Sequence, residues 1–198
     1  MPVLTCMFSS LYYTCNACLD KHVKLIVLYT IERVQNKSLY QQYQIKKKQM
    51  ENQTPQGIQV ERDLWHGTSA KAVDSINYYG FNRSYCGGAG HGDCWYGDGV
   101  YFSNDGSYSA RAWLSQGHGP GAANIAIGGA QTGFTGQVYV AKVLTGDLVL
   151  GKKGMKYLPQ KPTGNIYDCA VDNVQNPVEF IIFNDTQAYP EYILTFDT

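Results

Sequence analysis

Apolar positions in this chain gather into short runs rich in β-branched and aromatic residues, separated by polar or glycine-rich connections. Residues 25–31, Leu-Ile-Val-Leu-Tyr-Thr-Ile, predict a strand. Ser38 reads as the N-cap of a helix over 39–50 that places Leu39, Tyr43 and Met50 near one face. Residues 53–59, with Pro55 and Gly57, form a polar connection. Leu64-Trp65-His66 reads as a strand end, and residues 69–79 as a short helix stopped by Gly80 at C′. A glycine-rich, cysteine-bearing loop over 84–95 precedes a strand at Val100-Tyr101-Phe102 and a helix over 107–114. Residues 115–136, rich in Gly, Ala and Gln, read as a mobile surface insertion. Strands over 137–144, 147–150, 179–183 and 192–196 complete the chain. Many strands and few helices, without regular βαβ alternation, predict an α+β fold with a mainly antiparallel sheet and no repeats.

With 198 residues the chain can bury one sizeable core. The apolar and charged fractions are those of an ordinary globular protein. Sixteen basic and sixteen acidic residues cancel, so net charge recruits neither nucleic acid nor a membrane surface. Lys46-Lys47-Lys48 sits late in the first helix, where cations suit the dipole, and reads as a solvated face. No apolar run approaches the ~20 residues that span a bilayer, and the first residues lack a basic n-region. Six cysteines without framework spacing suit a reducing setting, hence an expected location in cytoplasm or nucleus. Residues 1–24 form an unassigned N-terminal segment, and the sequence leaves open whether the chain is part of a longer protein.

Two cysteine clusters raise the question of metal. Cys15 and Cys18, followed by His22, make an isolated C-x-x-C that would need further ligands nearby. Cys86, His91 and Cys94 lie in the glycine-rich loop, with His118 as a conceivable fourth ligand. Neither set has the spacing of a closed zinc site, and no metal is expected. The stretch 64–110 holds more. It delivers His66 and Tyr101 from hydrophobic segments beside glycines, where the main chain can be approached closely. That combination reads as the wall of a pocket.

Four segments, in order, carry a resemblance: His66-Gly67-Thr68, Gly97-x-Gly99-Val100-Tyr101-Phe102, Ser107-Tyr108-Ser109-Ala110 and Asp185-Thr186-Gln187-Ala188-Tyr189-Pro190-Glu191-Tyr192. They resemble the catalytic domain of poly(ADP-ribose) polymerases, of the diphtheria-toxin-like ADP-ribosyltransferases. Residues 31–36 also look like the start of this domain in the macrodomain-linked and TCDD-inducible members. The resemblance covers residues 25–198. It implies an ADP-ribosyltransferase fold: two packed, mainly antiparallel β-sheets, a few peripheral helices and an NAD cleft. It leaves no stretch for the regulatory helical subdomain of some members.

The family signature is His–Tyr–Glu in polymer-forming members, and the glutamate is replaced in mono-transferring relatives. By position it falls here on His66, Tyr101 and Glu179, whereas Glu191 lies a strand later. The surroundings look most like the mono-transferring group, so signature and context point in different directions on elongation. NAD is the implied donor substrate, and protein side chains, this chain's own included, are the implied acceptors.

The resemblance assigns the parts. His66 would donate to ribose hydroxyls, and the Gly67 backbone would pair with the nicotinamide carboxamide. Tyr101 would stack on the nicotinamide ring, Ser109 would complete carboxamide recognition, and Thr68 and Asn82 would reach the adenosine ribose. The second stacking aromatic falls to Tyr108 or Trp113, and the loop over 85–96 corresponds to the one covering NAD. Breaking the nicotinamide–ribose bond develops positive charge on the sugar, which a carboxylate such as Glu179 favours. Taken singly, a strand tyrosine is core packing, a strand-end histidine a structural residue, and a glutamate after Pro177 a solvated one. The four motifs together reverse those readings. Two other classes remain: a silent module that binds NAD or ADP-ribose, and a zinc-stabilised interaction domain.

Overall fold

The computed structural model describes residues 27–86, 94–106, 108–110 and 135–197. The expectations for Cys15, Cys18, His22, His91, Trp113, His118 and most of the 115–136 insertion lie outside them.

Among the described residues, eight strands form one hydrogen-bonded sheet in the order β1-β8-β4-β2-β3-β7-β6-β5. They are β1 (Val27–Arg33), β2 (Glu61–Thr68), β3 (Val100–Ser103), β4 (Thr135–Leu144), β5 (Leu148–Leu150), β6 (Cys169–Val171), β7 (Glu179–Ile182) and β8 (Ala188–Asp197). Every pairing is antiparallel except β5 with β6. The expected two sheets appear as two four-stranded halves joined at one place. There β2 meets β3 at a single position, Trp65 opposite Ser103. One core spans the join, because Leu64, Tyr139, Val143 and Ile193 of one half pack in the same cluster as Phe102, Val171, Phe180 and Ile182 of the other.

Helix α1 (Lys37–Gln53) lies against the first half through Tyr43 and Met50, which pack with Leu144 and Tyr189. Leu39 packs against the same cluster, as the sequence pattern predicts. The N-cap is Asn36, not the expected Ser38. The Asn36 carboxamide accepts from one helix end and donates to two carbonyls of another, one more donation than the single proton of a serine hydroxyl allows. Its oxygen accepts from Leu39 N–H at 3.1 Å, and its Nδ2 donates to the Asn77 and Tyr78 carbonyls at 3.0 Å each. Those carbonyls close α2 (Ala70–Tyr79), which ends at Gly80 with φ of 81°.

Strands β6 and the start of β8 are the elements the pattern did not announce. β6 has three residues and borrows its order from flanking strands. β8 begins at Ala188 and carries Pro190 through an irregularity opposite Val140/Ala141, a place where a strand tolerates a missing N–H. Much of the segment 185–192 is architectural. Asp185 accepts from Arg83 N–H at 3.0 Å, and the buried Gln187 amide donates to Leu144 and Asp168 carbonyls at 2.9 and 2.8 Å. The Tyr189 hydroxyl donates to Val34 C=O at 3.0 Å, and Glu191 stands 3.5 Å from Lys142.

Candidate active site

The site lies at the join between the halves. Continued register would set His66 opposite Phe102 and Gly67 opposite Tyr101, but the β2–β3 pairing ends at Trp65. A side chain bridges the gap instead: His66 Nδ1–H donates to the Tyr101 carbonyl at 2.7 Å. A carbonyl can only accept, so this bond places a proton on Nδ1 and leaves Nε2 an acceptor in the neutral ring. At Nε2 a neutral ring can accept but not donate, so the expected donation to a ribose hydroxyl would require the imidazolium. Phe81 and Phe102 hold the ring, with centroids 5.0 and 5.4 Å away.

The Tyr101 side chain packs against the cluster of Met155, Ala170 and Ile181, and it remains partly exposed. Its hydroxyl accepts from Tyr96 N–H at 3.0 Å and donates to Gly97 C=O at 2.9 Å. Burial pushes its pKa up, so it works as a neutral phenol. The glycines of the Gly97-x-Gly99 motif have a different cause from the one their neighbours suggest. A Cβ on Gly99 would lie 2.4 Å from the Ile182 carbonyl oxygen, and one on Gly97 2.7 Å from the Phe183 ring. The protein's own β7 end makes that close approach.

Glu179 opens β7 opposite Ser103, one strand over from Trp65. Asp172 anchors it by accepting from the Val178 and Glu179 N–H groups at 2.9 and 3.0 Å. The Tyr108 hydroxyl donates to Glu179 Oε1 at 3.0 Å. Burial raises the Glu179 pKa above the ordinary carboxylate range and the Asp172 charge adds to this, while the Tyr108 bond opposes it. Burial and Glu179 push the Tyr108 phenol up to about 12. Tyr108, one of two candidates for the second stacking aromatic, thus stands on the glutamate. Residues 106 and 108–110 are helical, consistent with the start of the helix expected over 107–114.

Ser109 is buried and donates to the Trp65 carbonyl at 3.3 Å, two residues before Gly67. Thr68 is buried at the end of β2. Asn82 is exposed, and its side chain accepts from Ser84 N–H at 2.8 Å, capping the 3-10 turn Arg83–Tyr85. Sequence reading missed Gln137, which faces Thr68 in the β4–β2 register. Its Oε1 is buried and, among the described residues, is the one such side-chain atom without a hydrogen-bond partner. A buried acceptor beside Thr68 fits a ligand rich in hydroxyls. A separate groove of about 600 Å³, bordered by Arg62, Asp63, Asn104 and Pro177, contains none of the predicted site residues. Among the described residues, no group of three or more His, Cys, Asp or Glu is arranged to hold a metal ion.

His66, Tyr101 and Glu179 thus stand on three neighbouring strands of a split sheet. The family model of the poly(ADP-ribose) polymerase catalytic domain matches residues 7–198, and the chain belongs to that family. It is 39% identical over 170 residues to human (Homo sapiens) protein mono-ADP-ribosyltransferase PARP14, covering 84% of this chain and 8% of that protein. It is 41% identical over 167 residues to mouse (Mus musculus) protein mono-ADP-ribosyltransferase PARP10, covering 83% and 16%. With mouse protein mono-ADP-ribosyltransferase PARP12 it shares 35% over 170 residues, covering 85% and 21%. The chain therefore spans about a fifth or less of the length of these relatives.

Proposed function

We propose that this chain transfers ADP-ribose from NAD to side chains of acceptor proteins, itself among them, and releases nicotinamide. The observation that carries this reading is the meeting of His66 and Tyr101 where β2 and β3 part, with Glu179 on the adjoining strand. NAD lies across that join, the carboxamide toward Gly67 and Ser109 and the adenosine side toward Thr68 and Gln137. As the bond between nicotinamide and ribose breaks, positive charge grows on the sugar carbon. The Glu179 carboxylate accepts a hydrogen bond from a ribose hydroxyl, favours that charge and orients the incoming nucleophile. Tyr101 packs on the leaving ring, and His66 Nε2 accepts a hydroxyl hydrogen.

We read the transfer as single rather than chain-building. The similar proteins carry mono-transferase names. In addition, Tyr108 already occupies Oε1 of Glu179, which leaves less of the carboxylate for a growing chain. The test incubates the purified chain with labelled NAD and resolves the products on a denaturing gel, with Glu179→Gln alongside. A discrete band that falls at least tenfold in the variant is expected. A high-molecular-weight smear lost in the variant would instead show elongation. No label, with NAD binding intact by calorimetry, would make the chain a silent binding module.

A further inference from the structure

The sulfurs of Cys86 and Cys94 lie 2.9 Å apart, although the residues are separated along the chain by a glycine-rich segment. Their positions are set by neighbours on each side. Cys86 N–H donates to the Arg83 carbonyl at 2.9 Å. Arg83 is itself held, with its guanidinium donating to the Phe183 and Lys156 carbonyls at 3.2 and 2.8 Å. Cys94 runs directly into Tyr96 and Gly97, the two residues that hold the Tyr101 hydroxyl.

The separation can be set beside two fates for a thiol pair. Two thiolates sharing a tetrahedral zinc at about 2.3 Å would stand about 3.8 Å apart. A disulfide needs about 2.05 Å. At 2.9 Å the pair is under an ångström from a covalent bond, and the described residues supply no third His, Cys, Asp or Glu to complete a metal site with it. Burial, with Cys94 beside it, pushes the Cys86 thiol up to about 12, so the contact at neutral pH is between a protonated Cys86 and its neighbour.

We propose that Cys86 and Cys94 form a redox site, at which a small-molecule disulfide such as oxidised glutathione converts the two thiols to an intramolecular disulfide. The sulfur of one cysteine, deprotonated, attacks the oxidant, releasing one small thiol and leaving a mixed disulfide. The second cysteine displaces the other small thiol and loses its proton. The protein gives up two electrons and two protons, and one small disulfide becomes two small thiols. The bond ties the 3-10 turn at residues 83–85 to the segment holding Tyr101. It therefore favours the arrangement in which the cleft wall is in place. By linkage, a ligand that fills the nicotinamide end of the cleft favours the disulfide in equal measure. This coupling, though not the disulfide itself, rests on the function proposed above.

The experiment equilibrates the purified 198-residue chain in glutathione buffers from fully reduced to fully oxidised, traps free thiols by alkylation and maps cysteines by mass spectrometry. Expected is a Cys86–Cys94 cross-link that loses two hydrogens, is reversed by dithiothreitol and is absent from Cys94→Ser. The fully buried Cys169 is expected to remain a thiol throughout. Alkylation of Cys86 and Cys94 even in oxidised glutathione would overturn the proposal, as would a stable glutathione adduct on either, or a link from either to Cys6, Cys15 or Cys18. So would one zinc per reduced chain, lost in Cys94→Ser. Repeating the titration with benzamide, a nicotinamide-like probe, is expected to shift the midpoint toward disulfide. An unmoved midpoint with benzamide bound would overturn the coupling alone. Absence of benzamide binding would count against the cleft assignment and leave the disulfide result standing.

Discussion

In the proposed transfer Glu179 acts as the anion, and burial and a like charge both resist its ionisation, so its activity would be set by what remains to favour the anion. For Glu179 that is the Tyr108 hydroxyl, 3.0 Å away. Tyr108→Phe deletes the bond that lowers the Glu179 pKa, so the group needs a higher pH to ionise. The acid limb of kcat/KM is expected to move to higher pH in Tyr108→Phe. In Glu179→Gln the limb is expected to vanish with the activity. A profile unchanged in Tyr108→Phe would show that the phenol does not bear on the carboxylate. At Gly99 the argument is steric. An added methyl would lie 2.4 Å from the Ile182 carbonyl oxygen and 2.6 Å from Ile181 Cγ2, both within the β3–β7 pairing. Backbone cannot step aside as a flexible side chain can. Gly99→Ala is therefore expected to lose about 1–3 kcal/mol. In a chain of this size that is a fall of roughly 2–4 °C in melting temperature per kcal/mol. A melting temperature within 1 °C of the parent would refute the contact.

At the scale of elements, α1 is fastened to β2 by a partly buried ionic knot as well as by Tyr43 and Met50. Glu61 accepts from the Tyr43 hydroxyl and from Lys47, each at 2.7 Å. Burial acts to raise the Glu61 pKa. The bonds from Lys47 and Tyr43, with the Lys47 and Lys142 charges, outweigh it, so the group titrates below its ordinary value. A carboxyl lowered on folding adds stability that is present above its unfolded pKa and is lost as pH falls through the folded one. Urea midpoints of the parent are thus expected to drop on acidification below about pH 4.5, with a shallower drop in Glu61→Gln. Equal slopes would show that the knot carries no linkage.

The same elements show what a sequence can and cannot announce. The helix face of Leu39, Tyr43 and Met50 and the strand over 137–144 were legible because period and apolar composition agree with the local structure. Ser109 and Glu179 were singled out only through the family motifs, and His66 and Tyr101 also through the glycines beside them. Their neighbours across the sheet were not, since the Tyr108–Glu179 bond joins residues 71 apart and the Gln137–Thr68 register depends on strand order. Ser38 outcompeted Asn36 as a predicted cap because the sequence does not show that the start of α1 meets the end of α2.

On the scale of the whole molecule, the two half-sheets share a core but only one position of backbone pairing at the join. The shared core couples their unfolding, because Phe102 and Phe180 cannot leave the cluster without exposing Leu64 and Tyr139. Far-ultraviolet dichroism and tryptophan fluorescence, to which Trp65 at the join contributes, are expected to report one coincident transition. The join itself has few backbone bonds to protect it, so amides near His66–Thr68 on the β3 side are expected to exchange before those of the β4–β8 ladder. A ligand spanning the cleft would bond to both halves and to neither once they unfold. At 100 times its dissociation constant, such a ligand adds about 2.7 kcal/mol. For a chain of this length that is a rise of roughly 5–11 °C in melting temperature. Exchange is expected to slow most at the β2–β3 join, and only weakly in α1 or β5. Slowing confined to one half would mean that the ligand sits on a face of the sheet, and the reading of the split sheet as an NAD cleft would fall.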